Sequence, residues 1–188
     1  MKITIGQAGR PHPGEQESGD QWAVLTDGPR HLAVLADGLG HGPAAALAAR
    51  AAVSFVAARP WEPLESLVWG CHRALTHTRG VALSLLRIDE RLATASFAGV
   101  GNVELAAATG DPVRPVPVPG VVGGRVRKVT EVRIGLRAGD LLVLFTDGIS
   151  SRFDPCALRG MDAGVAARRL LAAHAKDHDD AACLVVTC

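Results

Sequence analysis

Two short apolar runs, Ala23-Val24-Leu25 and Leu32-Ala33-Val34-Leu35-Ala36, flank the polar turn residues Asp27-Gly28-Pro29-Arg30. Two such runs around a turn predict a β-hairpin. The second run ends at Asp37-Gly38, and glycines lead from there into Pro43-Ala44-Ala45-Ala46-Leu47. Proline at the head of an alanine-rich stretch predicts a helix from Pro43 to about Ala58, where Arg59-Pro60 stops it. Leu64, Leu67, Val68, Cys71 and Leu75 recur at helical spacing and predict a second helix from Pro63 to about Thr78.

From Val81 the pattern is that of strands. Residues 82–88 and 93–98 flank the turn Asp89-Glu90-Arg91, and Val100 to Ala108 predicts a further strand before a turn at Gly110-Asp111-Pro112. Pro115 to Gly124 is rich in Pro and Gly and predicts a loop. Val129 to Ile134 and Leu141 to Thr146 predict two more strands, the second so apolar that it belongs at the centre of a sheet. A helix over Ala163 to Ala175 precedes a last strand, Ala182 to Thr187. Parallel strands need a crossover between them, and no helix interrupts Val81 to Thr146. The expected fold is α+β: two stacked antiparallel β-sheets flanked by α-helices, an α-β-β-α sandwich, with residues 1–188 forming one domain.

Charge and composition narrow the function. Twenty Lys+Arg against nineteen Asp+Glu leave a net charge of +1, and Tyr is absent, so neither a basic face nor a stacking platform for nucleic acid is expected. Cys71, Cys156, Cys183 and Cys188 are scattered, with no pair at zinc-ligand spacing, and are expected to be reduced thiols. The first residues lack the apolar stretch of a signal peptide, and the most apolar helical region is short and broken by Arg50. The expected location is the cytoplasm, with no membrane partner.

Candidate chemistry lies in aspartates at strand ends. Asp37 closes Val34-Leu35-Ala36, Asp147 closes Leu144-Phe145-Thr146, Asp179 precedes the last strand and Asp20 precedes the hairpin. If such residues converge at one edge of a sandwich they repel, and hard divalent cations with all-oxygen shells relieve that repulsion. An Asp-Gly pair after a strand is also the ordinary composition of a turn. Asp27-Gly28, Asp89, Asp111-Pro112 and Asp140 are expected to be turns of that kind. Spacing alone leaves both readings open for the first four.

The order of motifs carries a resemblance. Gly19-Asp20, Ala36-Asp37-Gly38-Leu39-Gly40-His41-Gly42-Pro43-Ala44-Ala45, Phe145-Thr146-Asp147-Gly148-Ile149 and Asp179-Asp180-Ala181 occur in the order of the PPM-type metal-dependent serine/threonine protein phosphatases. The chain is most similar to their short bacterial branch, which includes the SpoIIE and RsbU phosphatase domains. The motifs run from residue 19 to residue 181. The resemblance implies two Mn²⁺ or Mg²⁺ ions, with Asp37 bridging both and the Gly38 backbone carbonyl on one of them. Asp20 then stands near the first metal, Asp147 at the second, and Asp179 is the last ligand, with Asp180 as the alternative. Water activated by the two ions would attack phosphorus without a protein nucleophile.

The implied substrate is phosphoserine or phosphothreonine on a STAS-domain protein, either a stressosome scaffold or an anti-sigma-factor antagonist. His41, beside the metal motif, is a candidate proton donor to the leaving oxygen, with a surface role as its alternative. Larger members bind phosphate through an arginine shortly before the first acidic residue. Here the nearest upstream arginine is Arg10, at a different spacing, and the segment that forms a substrate-facing flap in those members is short or missing. Two other readings remain. Asp37-Gly38-Leu39-Gly40 also fits the nucleotide site of an ATP-binding anti-sigma kinase, although that fold needs an asparagine-bearing helix upstream. A non-catalytic member of the phosphatase fold, acting as an interaction module, is the other.

Overall fold

The computed structural model of the chain describes residues 1–110, 113 and 115–188. Strands β1 (Thr4–Arg10), β2 (Asp20–Asp27) and β3 (Arg30–Gly38) come first, followed by helices α1 (Pro43–Ala57) and α2 (Leu64–Ala74). Strands β4 (Val81–Asp89), β5 (Thr94–Val100), β6 (Glu104–Ala108), β7 (Glu131–Gly135) and β8 (Leu141–Phe145) follow, then α3 (Ala163–His174) and β9 (Ala181–Thr187). The strands form two antiparallel sheets, ordered β1-β9-β8-β6 and β2-β3-β4-β5-β7.

Strand alternation explains the four layers. On β3, Leu32, Val34 and Ala36 pack with α1 and α2, whereas Ala33 and Leu35 face the second sheet. On β8 and β9, Leu142, Leu144, Leu184 and Val186 fill the space between sheets, while Val143, Phe145, Cys183 and Val185 meet α3. The central strands are covered on both faces, which is why β3, β4 and β8 are continuous apolar runs instead of alternating ones. The predicted α-β-β-α sandwich is what the chain forms.

Local chemistry sets the helix ends. Pro43 occupies the first turn of α1, with its missing N–H at a position that has no intrahelical acceptor. The alanines of α1 allow a close approach to the sheet: a Cβ on Gly38 would stand 2.1 Å from the Ala45 carbonyl oxygen. Glu65 in the first turn and His72 and Arg73 in the last complement the dipole of α2. Asp27 pairs with Arg30 across its turn, Asp89 accepts from the Arg91 and Leu92 amides, and Asp140 accepts from the Arg137 amide. These are the turns expected of them; of the predicted turn at Gly110-Asp111-Pro112, Asp111 and Pro112 lie outside the described residues.

Two elements differ from the pattern reading. The Val100–Ala108 run is not one strand, because the chain turns at Gly101 (φ +96°) and passes from one sheet to the other. A Cβ at Gly101 would lie 2.5 Å from that of Ala82, so only glycine fits there. The second difference is β1, an edge strand paired to β9 at the far end of the sequence. Its apolar content is low because glycines occupy two contact points: a Cβ on Gly6 would enter the backbone of Ala163, and one on Gly9 would strike the Trp22 ring.

The cysteines divide by burial. Cys71 and Cys183 are enclosed and their thiols are pushed up to about 12, while Cys188 is raised to about 11 and Cys156 is exposed. Thiolate is the reactive form, so in native protein at neutral pH a thiol reagent is expected to modify Cys156 first and leave Cys71 and Cys183 untouched until unfolding. Mass mapping after timed alkylation checks this.

Candidate metal centre

The hairpin places Asp20 directly opposite Asp37 on neighbouring antiparallel strands. Like charges in that relation destabilise a sheet, and here Asp20 is only 1% exposed while Asp37 is partly buried. The Gly38 amide donates to the Gly19 carbonyl at 3.0 Å and so closes the end of this ladder. Asp147 and Gly148 follow β8, and Asp179 and Asp180 precede β9, which pairs with β8. A Cβ on Gly148 would stand 1.7 Å from the Asp180 carbonyl oxygen, so glycine is required to bring these two turns together.

Electrostatics shows that the four segments share one site. Burial is the main cause raising the Asp37 carboxyl from 3.8 to about 8, with Asp147, Asp179 and Asp180 adding repulsion. Asp20 is pushed well above the usual carboxylate range, by burial first and then by Asp37, against an opposing hydrogen bond from Thr146. Asp179 is raised by burial and by Asp147. Among the described residues no basic side chain offsets Asp20 or Asp37.

Partners hold several of these groups in place. The Thr146 hydroxyl donates to Asp20 Oδ2 at 2.7 Å while accepting from the Ala182 amide at 3.0 Å. Asn102 Nδ2 donates to Asp147 Oδ2 at 2.7 Å. Asp180 Oδ1 accepts from the His12 amide at 2.8 Å, but its buried Oδ2 has no partner among the described residues. Thr146 lies inside a quoted motif, where its hydroxyl could have been read as a support. Asn102 was hidden in what looked like the interior of a strand.

The donor set fits a hard divalent cation. It is all oxygen, carries excess negative charge and includes an orphaned buried carboxylate oxygen. Among the described residues no three His, Cys, Asp or Glu side chains are close enough to enclose an ion by themselves. Yet the aspartates raise one another's protonation across the shared space. An open set of this kind suits a hard divalent cation that keeps several waters and takes few protein carboxylates.

His41 and Arg10 occupy different ground. His41 is exposed: its Nδ1 meets Glu15 Oε1 at 2.9 Å and its ring stacks on His12, with centroids 4.7 Å apart. Arg10, at the end of β1, turns its guanidinium onto the carbonyls of Pro11, Lys176 and Asp179. It therefore clamps the loop that carries Asp179. Arg10→Ala is expected to raise the metal concentration needed for half-saturation by about tenfold, with Arg10→Lys restoring part of the loss. Titration calorimetry with Mn²⁺ reads this directly.

Two stacked antiparallel sheets between helical layers, with acidic turns gathered at one edge, define the PP2C-type protein phosphatases, whose activity depends on metal. The chain belongs to the SpoIIE family: the family model for stage II sporulation protein E matches residues 27–188. It is a protein phosphatase of that type. A curated relative, phosphoserine phosphatase RsbX of Bacillus subtilis (strain 168), is 27% identical over 139 residues, covering 73% of this chain and 70% of RsbX. A chain from a structural study of the bacterial stressosome as a modular system adapted to control secondary-messenger signalling superposes with a TM-score of 0.93 at 28% identity, covering 99% of this chain and all of that one. The crystal structure of RsbX with magnesium superposes with a TM-score of 0.89 at 22% identity, covering 98% of this chain and 94% of that one. The family match includes Asp37, Asp147 and Asp179 and begins after Asp20.

Proposed function

We propose that the chain, as one catalytic domain in the cytoplasm, hydrolyses phosphoserine or phosphothreonine on a STAS-type signalling protein. Such a substrate would be a stressosome scaffold or an anti-sigma-factor antagonist. One observation carries the reading: Asp20, Asp37, Asp147, Asp179 and Asp180 interact at one sheet edge, where no basic side chain among the described residues offsets Asp20 or Asp37. Likeness to RsbX and to the stressosome chain supports the substrate class.

Asp37, the Gly38 carbonyl, Asp20, Asp147 and Asp179 would hold two Mg²⁺ or Mn²⁺ ions, with Asp37 the residue that both would share. When bound, such ions acidify water and neutralise charge on phosphoryl oxygens. The residues supply the rest. Thr146 and Asn102 hold Asp20 and Asp147 in fixed rotamers, and Arg10 holds the Asp179 loop. Asp180 joins the β9 turn to the His12 backbone and directs its free oxygen toward Gly19. Glu15 meets His41 at Nδ1, and His41 is kept as the proposed proton donor to the departing serine or threonine oxygen.

The ATP-binding alternative lacks structural support, since only strands precede Asp37. The interaction-module reading is weakened by the full set of carboxylates. Manganese-dependent hydrolysis of a phosphoserine peptide and of p-nitrophenyl phosphate is the test. Activity is expected with metal, and loss is expected in both Asp37→Asn and Asp147→Asn. Activity that survived both substitutions would sink the assignment.

A further inference from the structure

The carboxylate ring attracts cations but offers nothing to a substrate's negative charge, and the arginine that binds phosphate in larger relatives has no counterpart at matching spacing. The missing positive charge lies along the neighbouring edge. Residues 118–126 extend the sheet beside the site: Val122 bridges Val81, itself opposite Gly38, and Val118 bridges Val100. A groove of about 460 Å³ runs along this segment, lined by Val118, Pro119 and Val121 and by the cations Arg125, Arg127 and Lys128. Among the described residues no acidic side chain lines it. Between groove and site stands Arg79, whose Nη1 would lie 3.0 Å from a Cβ on Gly40, in the turn that follows Asp37-Gly38.

All four cations are exposed, and none has a hydrogen-bond or ion-pair partner among the described residues. In a chain of net charge +1, several other surface arginines are spent on internal acceptors: Arg30 on Asp27, Arg50 on Glu17, Arg59 on Glu62, Arg159 on Ala108 and Asp140. Four unspent charges in sequence along one edge are a complementary surface for an anionic chain.

We propose that Arg79 and the Arg125-Arg127-Lys128 groove form a docking track for the phosphorylated segment of an acidic protein substrate. Arg79 receives the phosphoryl group and the groove receives carboxylates beside it. This rests on the phosphatase reading and adds its specificity. The groove strand lies two strand spacings from β3, roughly 10 Å, and an extended peptide covers that in about three residues. The side chains selected are therefore Asp or Glu about three positions from the phosphoserine on one side. The apolar floor of Val118, Pro119 and Val121 accommodates the intervening residues.

Kinetics on three substrates test this: p-nitrophenyl phosphate, an acidic-flanked phosphoserine peptide, and its counterpart with Gln flanks. The parent is expected to favour the acidic peptide by about tenfold in kcat/KM, with the preference eroding as salt rises. Arg125→Gln/Arg127→Gln/Lys128→Gln is expected to abolish the preference through KM alone and to keep p-nitrophenyl phosphate turnover within about twofold. Arg79→Gln is expected to raise KM for all three substrates alike, since it serves the phosphoryl group they share. A parent without preference, or a triple variant that keeps it, overturns the proposal. If the parent hydrolyses nothing, the phosphatase reading has failed, and fluorescence anisotropy of the labelled acidic phosphopeptide then decides the track. Tighter binding by the parent than by the triple variant supports it; equal binding overturns it.

Discussion

Asp37→Asn is expected to be inactive and yet more stable than the parent when metal is absent. The reason is the burial of Asp37, with repulsion from Asp147, Asp179 and Asp180 added to it, which together raise its carboxyl from 3.8 to about 8. A group raised on folding holds its proton in the folded state and loses it when the chain unfolds. The unfolded state therefore binds fewer protons between those values, and stability falls as pH rises from about 4 to about 8. Below that window the contribution is fully present; above it the contribution is gone. Each pH unit is worth about 1.4 kcal/mol. Because the Asn amide still needs partners in the same site, a net gain of about 2 kcal/mol at pH 8 is expected, with little gain near pH 4.

Metal reverses the balance. It binds the deprotonated carboxylates, so affinity should rise with pH up to about 8 and binding should release protons. The variant loses that stabilisation, and its turnover is expected to fall by a factor on the order of a thousand or more. Urea unfolding with and without EDTA across this pH range separates the two effects. A variant that is less stable than the metal-free parent at high pH would show that Asp37 is not held against its neighbours.

Gly148→Ala should have the largest effect on folding of any single methyl added near the site. Its Cβ would sit 1.7 Å from the Asp180 carbonyl oxygen, a clash with backbone that no rotamer relieves. The turns after β8 and before β9 must then part. A loss of about 3–5 kcal/mol is expected, since strain of this kind belongs to the severe class of substitutions. Even where the variant folds, displaced Asp147 and Asp179 should cost on the order of 100-fold in activity. Gly135→Ala, with nothing near its Cβ position, is the matched control and should be close to neutral. Urea midpoints for the pair read the difference; equal midpoints would contradict the close approach.

Much of this fold was legible because burial writes itself into the chain. The runs at 32–36 and 141–145 are apolar on both faces because helices cover one side of each sheet and the opposing sheet the other. Pro43 marked the start of α1, and Asp27-Gly28 marked the hairpin turn. The edge strand β1 was not legible, since its glycines make contacts that no hydrophobic pattern records. Nor was the break at Gly101, where a short glycine turn inside an apolar run carries the chain between sheets.

The site divides in the same way. Each Asp-Gly at a strand end was visible singly, and motif order pointed to a metal-binding phosphatase. That Asp20 faces Asp37, that Asn102 reaches Asp147, and that Arg10 grips the loop of Asp179 depend on pairings between residues 17 to 169 positions apart. Local sequence determines element type, because propensity, turn chemistry and hydrophobic period act over a few residues. Convergence of carboxylates is non-local. The sequence by itself determined a sandwich with acidic strand ends. Only the tertiary structure decided that those ends repel one another in one shared space and that a row of unpaired cations runs beside them.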